Sequence, residues 1–233
     1  MRLKTATEAR AILARLEAQH PGADTELRYR NPFELLVATI LSAQTTDAGV
    51  NLATPALFAR YPDARSMAAA DTADLEPLVH QTGFFRQKAK SISGMARALV
   101  ERHGGEVPPS MADLVKLPGV GRKTASVVLG HALGVPGLPV DRHVLRVANR
   151  IGLAASDDPE EVEQVLCDLL PREQWTVASD TLILHGRRIC QPKPLCDRCA
   201  VGTECQARAS LWTPAPAARP KSRGASPRRR ARR

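Results

Sequence analysis

The 233-residue sequence contains no run of about 18 apolar residues, so no transmembrane helix is expected. Its opening segment, Met1-Arg2-Leu3-Lys4-Thr5, leads into an amphipathic pattern without an apolar signal core, so export is not expected. No convincing stretch alternates apolar and polar residues with period two, which argues against a sheet protein. No internal repeat is evident. Acidic residues stop at Glu204. The nine basic residues from Arg208 to Arg233 therefore account for the whole formal net charge of +9, and residues 1–205 are neutral overall. A nucleic-acid face on the folded part must then come from patterning, because bulk charge does not supply it.

The sequence is 43% hydrophobic, long enough for one large domain or two small ones with a real core. Helical periodicity runs almost throughout. Ala6 to His20 reads as an amphipathic helix. Asn31-Pro32 reads as a cap followed by proline at the first helical position. The run it opens, Phe33 to Leu41, is apolar nearly all round and belongs in a core. Further helices are expected from Asp47 to about Arg60, after Asp71, from Lys88 to His103, after Asp141, after Asp158-Pro159 and from Gln174 to Ile189. Ser110-Met111-Ala112-Asp113 resembles a capping box with Asp in place of Glu. From Thr213 onward, prolines and arginines leave nothing apolar to bury, so a disordered basic tail is expected.

Basic residues cluster at Arg86, Lys88 and Lys90, at Arg122 and Lys123, at Arg142, Arg146 and Arg150, and at Arg187, Arg188 and Lys193. The acids of Asp157 to Glu163 are expected elsewhere. The second basic cluster sits on the most telling segment, Leu117-Pro118-Gly119-Val120-Gly121-Arg122-Lys123. Pro118 cannot continue a helix, and Gly119 and Gly121 permit backbone angles closed to other residues. The chain then re-enters an apolar helical run, so the segment reads helix, hairpin, helix. Backbone N–H groups without neighbouring Cβ atoms, next to a helix N-terminus, make an anion site suited to phosphate. A second Gly/Pro-rich stretch, residues 134–140, delivers Asp141. An amine and a carboxylate brought beside a phosphate-binding turn suggest chemistry on a nucleotide.

Of five cysteines, Cys190, Cys196, Cys199 and Cys205 fall within one short segment, with five, two and five residues between neighbours. That density suits a metal site. Zinc sites usually present two close pairs separated by a longer arm. Here one close pair is flanked evenly, which favours an iron–sulfur cluster over zinc. Cys167 lies in an amphipathic helical pattern and reads as a buried hydrophobe.

Together, the hairpin with Lys123, the stretch ending in Asp141 and the cysteine quartet after Leu184-His185-Gly186-Arg187 resemble the endonuclease III family of helix-hairpin-helix DNA glycosylases. The likeness covers roughly residues 1–211. It implies an all-α protein of two helical domains with a DNA-binding cleft between them. One domain, residues 25–134, is a six-helix bundle with the helix-hairpin-helix at about 110–134. The other is discontinuous, residues 1–24 plus 135–211, and holds a [4Fe-4S] cluster on Cys190, Cys196, Cys199 and Cys205. Residues 212–233 form the basic tail. The resemblance makes Lys123 the nucleophile and Asp141 its catalytic partner. It places Gln44 in the gap left by an extruded base and Phe84 as a wedge on the opposite strand. Gly119, Gly121, Arg122, His143 and Lys193 are expected at the DNA backbone. Three positions depart from the family pattern. Phe84 replaces a usual leucine, Arg142 replaces a small residue, and the first cysteine gap is five where six is usual.

The implied activity is a bifunctional DNA glycosylase/AP lyase of base excision repair acting on oxidised pyrimidines. Its partner is double-stranded DNA with a damaged base or abasic site, and no membrane partner is expected. A monomer is implied, cytoplasmic and nucleoid-associated in a bacterium, or nuclear in a eukaryote. A modified base cannot be reached inside the stack and must be rotated out. A neutral lysine amine can then attack C1′ and leave a Schiff base that permits elimination. Only eight aromatic residues exist, so stacking around the extruded base relies largely on other groups. Two alternatives stand beside this reading: a mismatch-specific glycosylase of the same fold, and a non-catalytic DNA-binding protein with a zinc site.

Overall fold

The computed structural model describes residues 2–211; the expected basic tail, 212–233, lies outside the described residues. Helices run over Ala6–Gln19 (α1), Pro32–Leu41 (α2), Asp47–Arg60 (α3), Ala64–Ala69 (α4), Thr72–Val79 (α5) and Phe85–His103 (α6). They continue over Met111–Leu114 (α7), Arg122–Ala132 (α8), Arg142–Ile151 (α9), Pro159–Leu169 (α10), Trp175–Arg188 (α11) and Arg208–Leu211 (α12). Among the described residues there is no strand. The fold is all-α.

Local chemistry sets most of these starts. Asn31 Oδ1 accepts from Glu34 N at 2.9 Å, and Pro32 occupies the first turn of α2. Thr5 and Glu8 form a reciprocal capping box at α1. Two details differ from the sequence expectation. Ser110 makes no side-chain cap bond, so the expected capping box does not form, and α7 is only one turn long. Helix α6 begins at Phe85, three residues before Lys88, because Gly83 and Phe84 both take positive φ and turn the chain sharply just ahead of it.

Apolar side chains gather into two cores. The first runs from Leu27 to Leu129 and is centred on α2, every residue of which from Phe33 to Leu41 is buried. The second joins Ala9, Ile12, Leu13 and Leu16 of α1 to residues 138–201. Full burial of one such leucine contributes about 1.5–3 kcal/mol, and truncating Leu36 to alanine would cost about 2–5 kcal/mol.

The two cores meet where α8 faces α11. Close backbone approach holds this seam. A Cβ on Gly130 would lie 2.6 Å from Thr176 Oγ1, and one on Gly137 would lie 2.7 Å from Ser126 O. The chain from 134 to 140 is pinned to α11 as well. Thr176 Oγ1 donates to Gly137 O at 3.1 Å, and buried Ser179 Oγ donates to Pro139 O at 2.7 Å. This pinning fixes where Asp141 emerges.

Candidate active site

Lys123 stands in the first turn of α8 and Asp141 caps α9. Both line one open cleft of about 640 Å³, with walls supplied by residues of both cores. Thr39, Ser42 and Asp47 come from the α2–α3 side, and Pro139, Asp180, Ile183, Leu184 and Arg187 from the other. Asp141 Oδ1 accepts from His143 N at 2.7 Å and Val144 N at 2.9 Å. Both cap bonds go to one carboxylate oxygen, so Oδ2 remains for the cleft. Lys123 is exposed at the cleft mouth.

The hairpin between α7 and α8 is a tight turn closed by Val120 N to Leu117 O at 3.1 Å. Its two glycines have different reasons. Gly119 has φ +77°, and a Cβ there would lie 2.8 Å from Ser91 Cβ, so the fold itself demands glycine. Gly121 has an extended-type φ of −93°, and a Cβ there would meet nothing within 4 Å. The space at Gly121 is thus open to an approaching ligand at the N-terminus of α8.

Arg122 forms a two-point ion pair with Glu163, Nε to Oε2 at 2.9 Å and Nη2 to Oε1 at 3.0 Å. The acids of α10 were expected away from the hairpin. One of them reaches it, because packing brings α10 beside α8 across 41 residues of sequence. Lys193 is exposed in the loop after Cys190. His143 is half-buried, with Arg146 Nη2 3.1 Å from its Nδ1 and Arg142 Nε 3.4 Å from its Nε2. Burial pushes its pKa below the usual imidazole range. Asp141 opposes the shift, and Arg146, Arg142 and Arg187 add to it. Arg142 itself is exposed on the first turn of α9.

Gln44 and Phe84 are the only non-glycine residues with positive φ among those described, at 56° and 45°. A bulky aromatic in that region is an outlier, and each such residue costs about 1–3 kcal/mol. Phe84 is also 69% exposed, not a core phenylalanine. Both side chains therefore stand out from the surface on strained loops.

Three further groups shape the site: His131, which sequence reasoning did not name, and Arg187 and Lys88, which it named as members of basic clusters. His131 Nε2 meets Asp180 Oδ2 at 2.9 Å and Asp24 Oδ1 at 3.6 Å on the cleft wall, while its Nδ1 faces Val127 O at 2.9 Å. Burial would hold the His131 pKa down, but Asp180, the Val127 carbonyl and Asp24 together raise it. Burial raises Asp180 above the usual carboxylate range despite His131. Arg187 joins both sides of the cleft, to Glu26 Oε2 at 2.6 Å and Asp47 Oδ2 at 3.0 Å. Lys88 is buried beneath the loops of Gln44 and Phe84. Its signal in the sequence was a lysine on the apolar stripe of α6, four residues before Ile92.

Cys190, Cys196, Cys199 and Cys205 line a second pocket of about 360 Å³ together with Arg150, His185 and Arg208. The shortened first gap does not keep Cys190 from it. Four thiols facing one pocket are a donor set that a metal centre requires. Arg150 Nη1 lies 3.6 Å from Cys190 Sγ, and His185 Nε2 lies 3.5 Å from Cys199 Sγ. Cys167 is half-buried against the second core, its thiol pushed up to about 11 by burial, with Glu163 and Asp168 adding to the rise.

Comparison with known proteins gives concordant results. Residues 37–172 match the HhH-GPD superfamily base excision DNA repair protein family. Endonuclease III of Synechocystis sp. is 50% identical over 86% of this chain and 91% of its own length. Endonuclease III of Escherichia coli is 41% identical over 84% and 93%. A trapped endonuclease III–DNA covalent intermediate superposes with TM-score 0.85 at 40% identity, covering 89% of this chain and 99% of that one. A thermostable thymine-DNA glycosylase, 21% identical with TM-score 0.79, shares the fold.

Proposed function

Because the chain belongs to the endonuclease III branch of the HhH-GPD superfamily of base excision DNA repair proteins, we propose that it removes oxidised pyrimidines through Lys123. It is a DNA-binding glycosylase with AP lyase activity. The observation that carries the residue assignment is the convergence of Lys123 and Asp141 on one cleft between the two cores.

In this reading the damaged nucleotide rotates into the cleft, at a cost of a few kcal/mol that poor stacking of the lesion lowers. Gln44 and Phe84 fill the vacated space from two sides. Lys123 Nζ bonds to C1′ as the bond from C1′ to the base nitrogen breaks. Opening of the sugar ring converts the adduct to an iminium. Loss of a C2′ proton then expels the 3′ phosphate. Asp141 stabilises positive charge developing on the sugar. Gly119, Gly121, Arg122, His143 and Lys193 contact the DNA backbone. This reading divides the chain into domains of residues 25–134 and of 1–24 plus 135–211, each built around one core. In this reading the enzyme works as a monomer on nucleoid DNA. No helix among the described residues is long and apolar enough to cross a membrane.

The cysteine pocket is the place for a [4Fe-4S] cluster held by four thiolates. Its supporting groups tie the segment 190–205 to the second core. Arg150 donates to Gln191 O at 2.6 Å, and Arg146 Nε to Cys190 O at 3.0 Å.

Borohydride trapping on a duplex containing thymine glycol tests the assignment. The wild type forms a covalent adduct, Lys123→Gln forms none, and Asp141→Asn turns over poorly. An adduct formed as efficiently by Lys123→Gln would overturn it.

A further inference from the structure

Lys88 is 5% exposed, and among the described residues no carboxylate pairs with it. Burial pushes its ammonium below the ordinary lysine range. Its three donors meet three oxygens: Leu41 O at 2.7 Å, Thr45 Oγ1 at 2.7 Å and Thr82 O at 2.6 Å. Each acceptor lies on a different part of the probe apparatus. Leu41 ends α2, where a cation is favoured beside the last carbonyls. Thr45 is next to Gln44, and Thr82 is two residues before Phe84. Thr45 Oγ1 in turn donates to Thr82 O, so the two loops are also joined directly.

A buried cation is costly unless every donor is satisfied, and here the three donors are satisfied by the two loops and the end of α2. Gln44 and Phe84 project from those loops on strained backbone. Such conformations persist only where the surroundings over-determine them. Thr82 is itself anchored by its hydroxyl to Val79 O at 2.7 Å, which carries the constraint back into α5.

We propose that Lys88 is a positioning residue that holds Gln44 and Phe84 at a fixed separation as one two-pronged probe for the two strands of a damaged duplex. This rests on the wedge roles given to Gln44 and Phe84 above. Lys88 touches neither base nor sugar. It acts through the loops, so it matters when a nucleotide must be extruded from a duplex and little when the substrate is already unpaired.

The experiment compares Lys88→Met and Thr45→Val, each alone and combined with Gln44→Ala plus Phe84→Ala, on two substrates. One is a thymine glycol duplex and the other a single-stranded abasic oligonucleotide. Lys88→Met should slow base removal from the duplex roughly 10- to 100-fold, as sub-ångström misplacement does. Cleavage of the abasic single strand should stay within about twofold. Thr45→Val, which leaves the lysine in place, should act in the same direction but less, and covers the case in which Lys88→Met does not fold. In the background lacking both probes, adding either substitution should cost little more, because the groups it positions are gone. If the probe-deleted enzyme processes the duplex at the wild-type rate, the wedge reading itself fails. If that enzyme is slow, yet Lys88→Met and Thr45→Val lower both substrates equally or add fully to the probe deletions, Lys88 is an ordinary structural lysine and the proposal is overturned.

Discussion

Gly137 lies against Ser126 so closely that a Cβ on it would sit 2.7 Å from the Ser126 carbonyl oxygen and 3.2 Å from its Cα. Ser126 is one helical turn beyond Lys123, and Gly137 is four residues before Asp141. This contact links the segment that carries the amine to the segment that carries the carboxylate. Gly137→Ala must push the two apart, because backbone offers no flexible end to move. Overpacking of this kind costs about 1–3 kcal/mol. Thermal unfolding should show that loss, and adduct formation should fall by more than the lost folded fraction explains. A variant with unchanged trapping would show that this contact does not set the site.

The two hairpin glycines should respond oppositely. Gly119→Ala should destabilise the fold, since φ is positive and Ser91 fills the space. Gly121→Ala should fold normally, because nothing lies within 4 Å of the added Cβ. If the proposed phosphate contact at Gly121 holds, its duplex affinity should nevertheless fall, since the methyl group occupies the open space at the start of α8. Unfolding curves and fluorescence anisotropy on the same samples separate the two effects.

Glu163→Gln should release Arg122 from its ion pair. A guanidinium freed beside the hairpin strengthens duplex binding. The salt dependence should steepen by up to about 0.9 in log–log slope, as Arg122 turns from sharing its charge with Glu163 to full contact with a phosphate. An unchanged slope would mean that Arg122 stays away from the backbone.

The His131–Asp180 pair predicts a pH effect with a definite sign. The raised His131 pKa means that the folded state holds its proton above the ordinary value of about 6.5. The raised Asp180 pKa acts in the same sense. Stability from His131 is thus fully present below about pH 6.5 and is lost as pH rises through its folded-state value, whereas that from Asp180 is fully present only below its ordinary value near 3.8 and is lost as pH rises through its own raised value. In Asp180→Asn, burial is left as the main influence, and the His131 pKa should drop below 6.5. Imidazole titration by NMR reads both values. A ring that titrates alike in the two proteins would refute the pairing.

Purified protein should be yellow-brown and contain iron, without stoichiometric zinc. Cys199→Ser or Cys205→Ser should lose the colour and iron and unfold at lower temperature, since a bound centre contributes folding free energy. Colourless protein with one zinc per chain after anaerobic preparation would exclude the cluster.

Much of the fold was legible because its signals are local. Asn31-Pro32, Asp141 and Asp158-Pro159 mark helix starts by chemistry acting within three or four residues, and all three begin helices. The same locality misled at Ser110, whose capping pattern did not form the expected bonds, and where only a single turn of helix followed. Lys123, Asp141 and the cysteine quartet could be named from residue types and spacing. Their convergence on two pockets needed the fold. Glu163 beside Arg122, and Asp180 beside His131, are separated by 41 and 49 residues, and no periodicity encodes such distances.

By itself, then, the sequence determined helical content, the candidate reactive groups and the glycine turns, because side-chain period and backbone permissiveness are properties of short segments. Tertiary structure alone decided which glycine the fold requires and which leaves room for a ligand. It also decided that Lys88, one basic residue in a basic cluster, turns inward to bind two loops together. Those outcomes depend on what packs against a residue from distant parts of the chain, where steric contact and desolvation operate and sequence neighbours have no say.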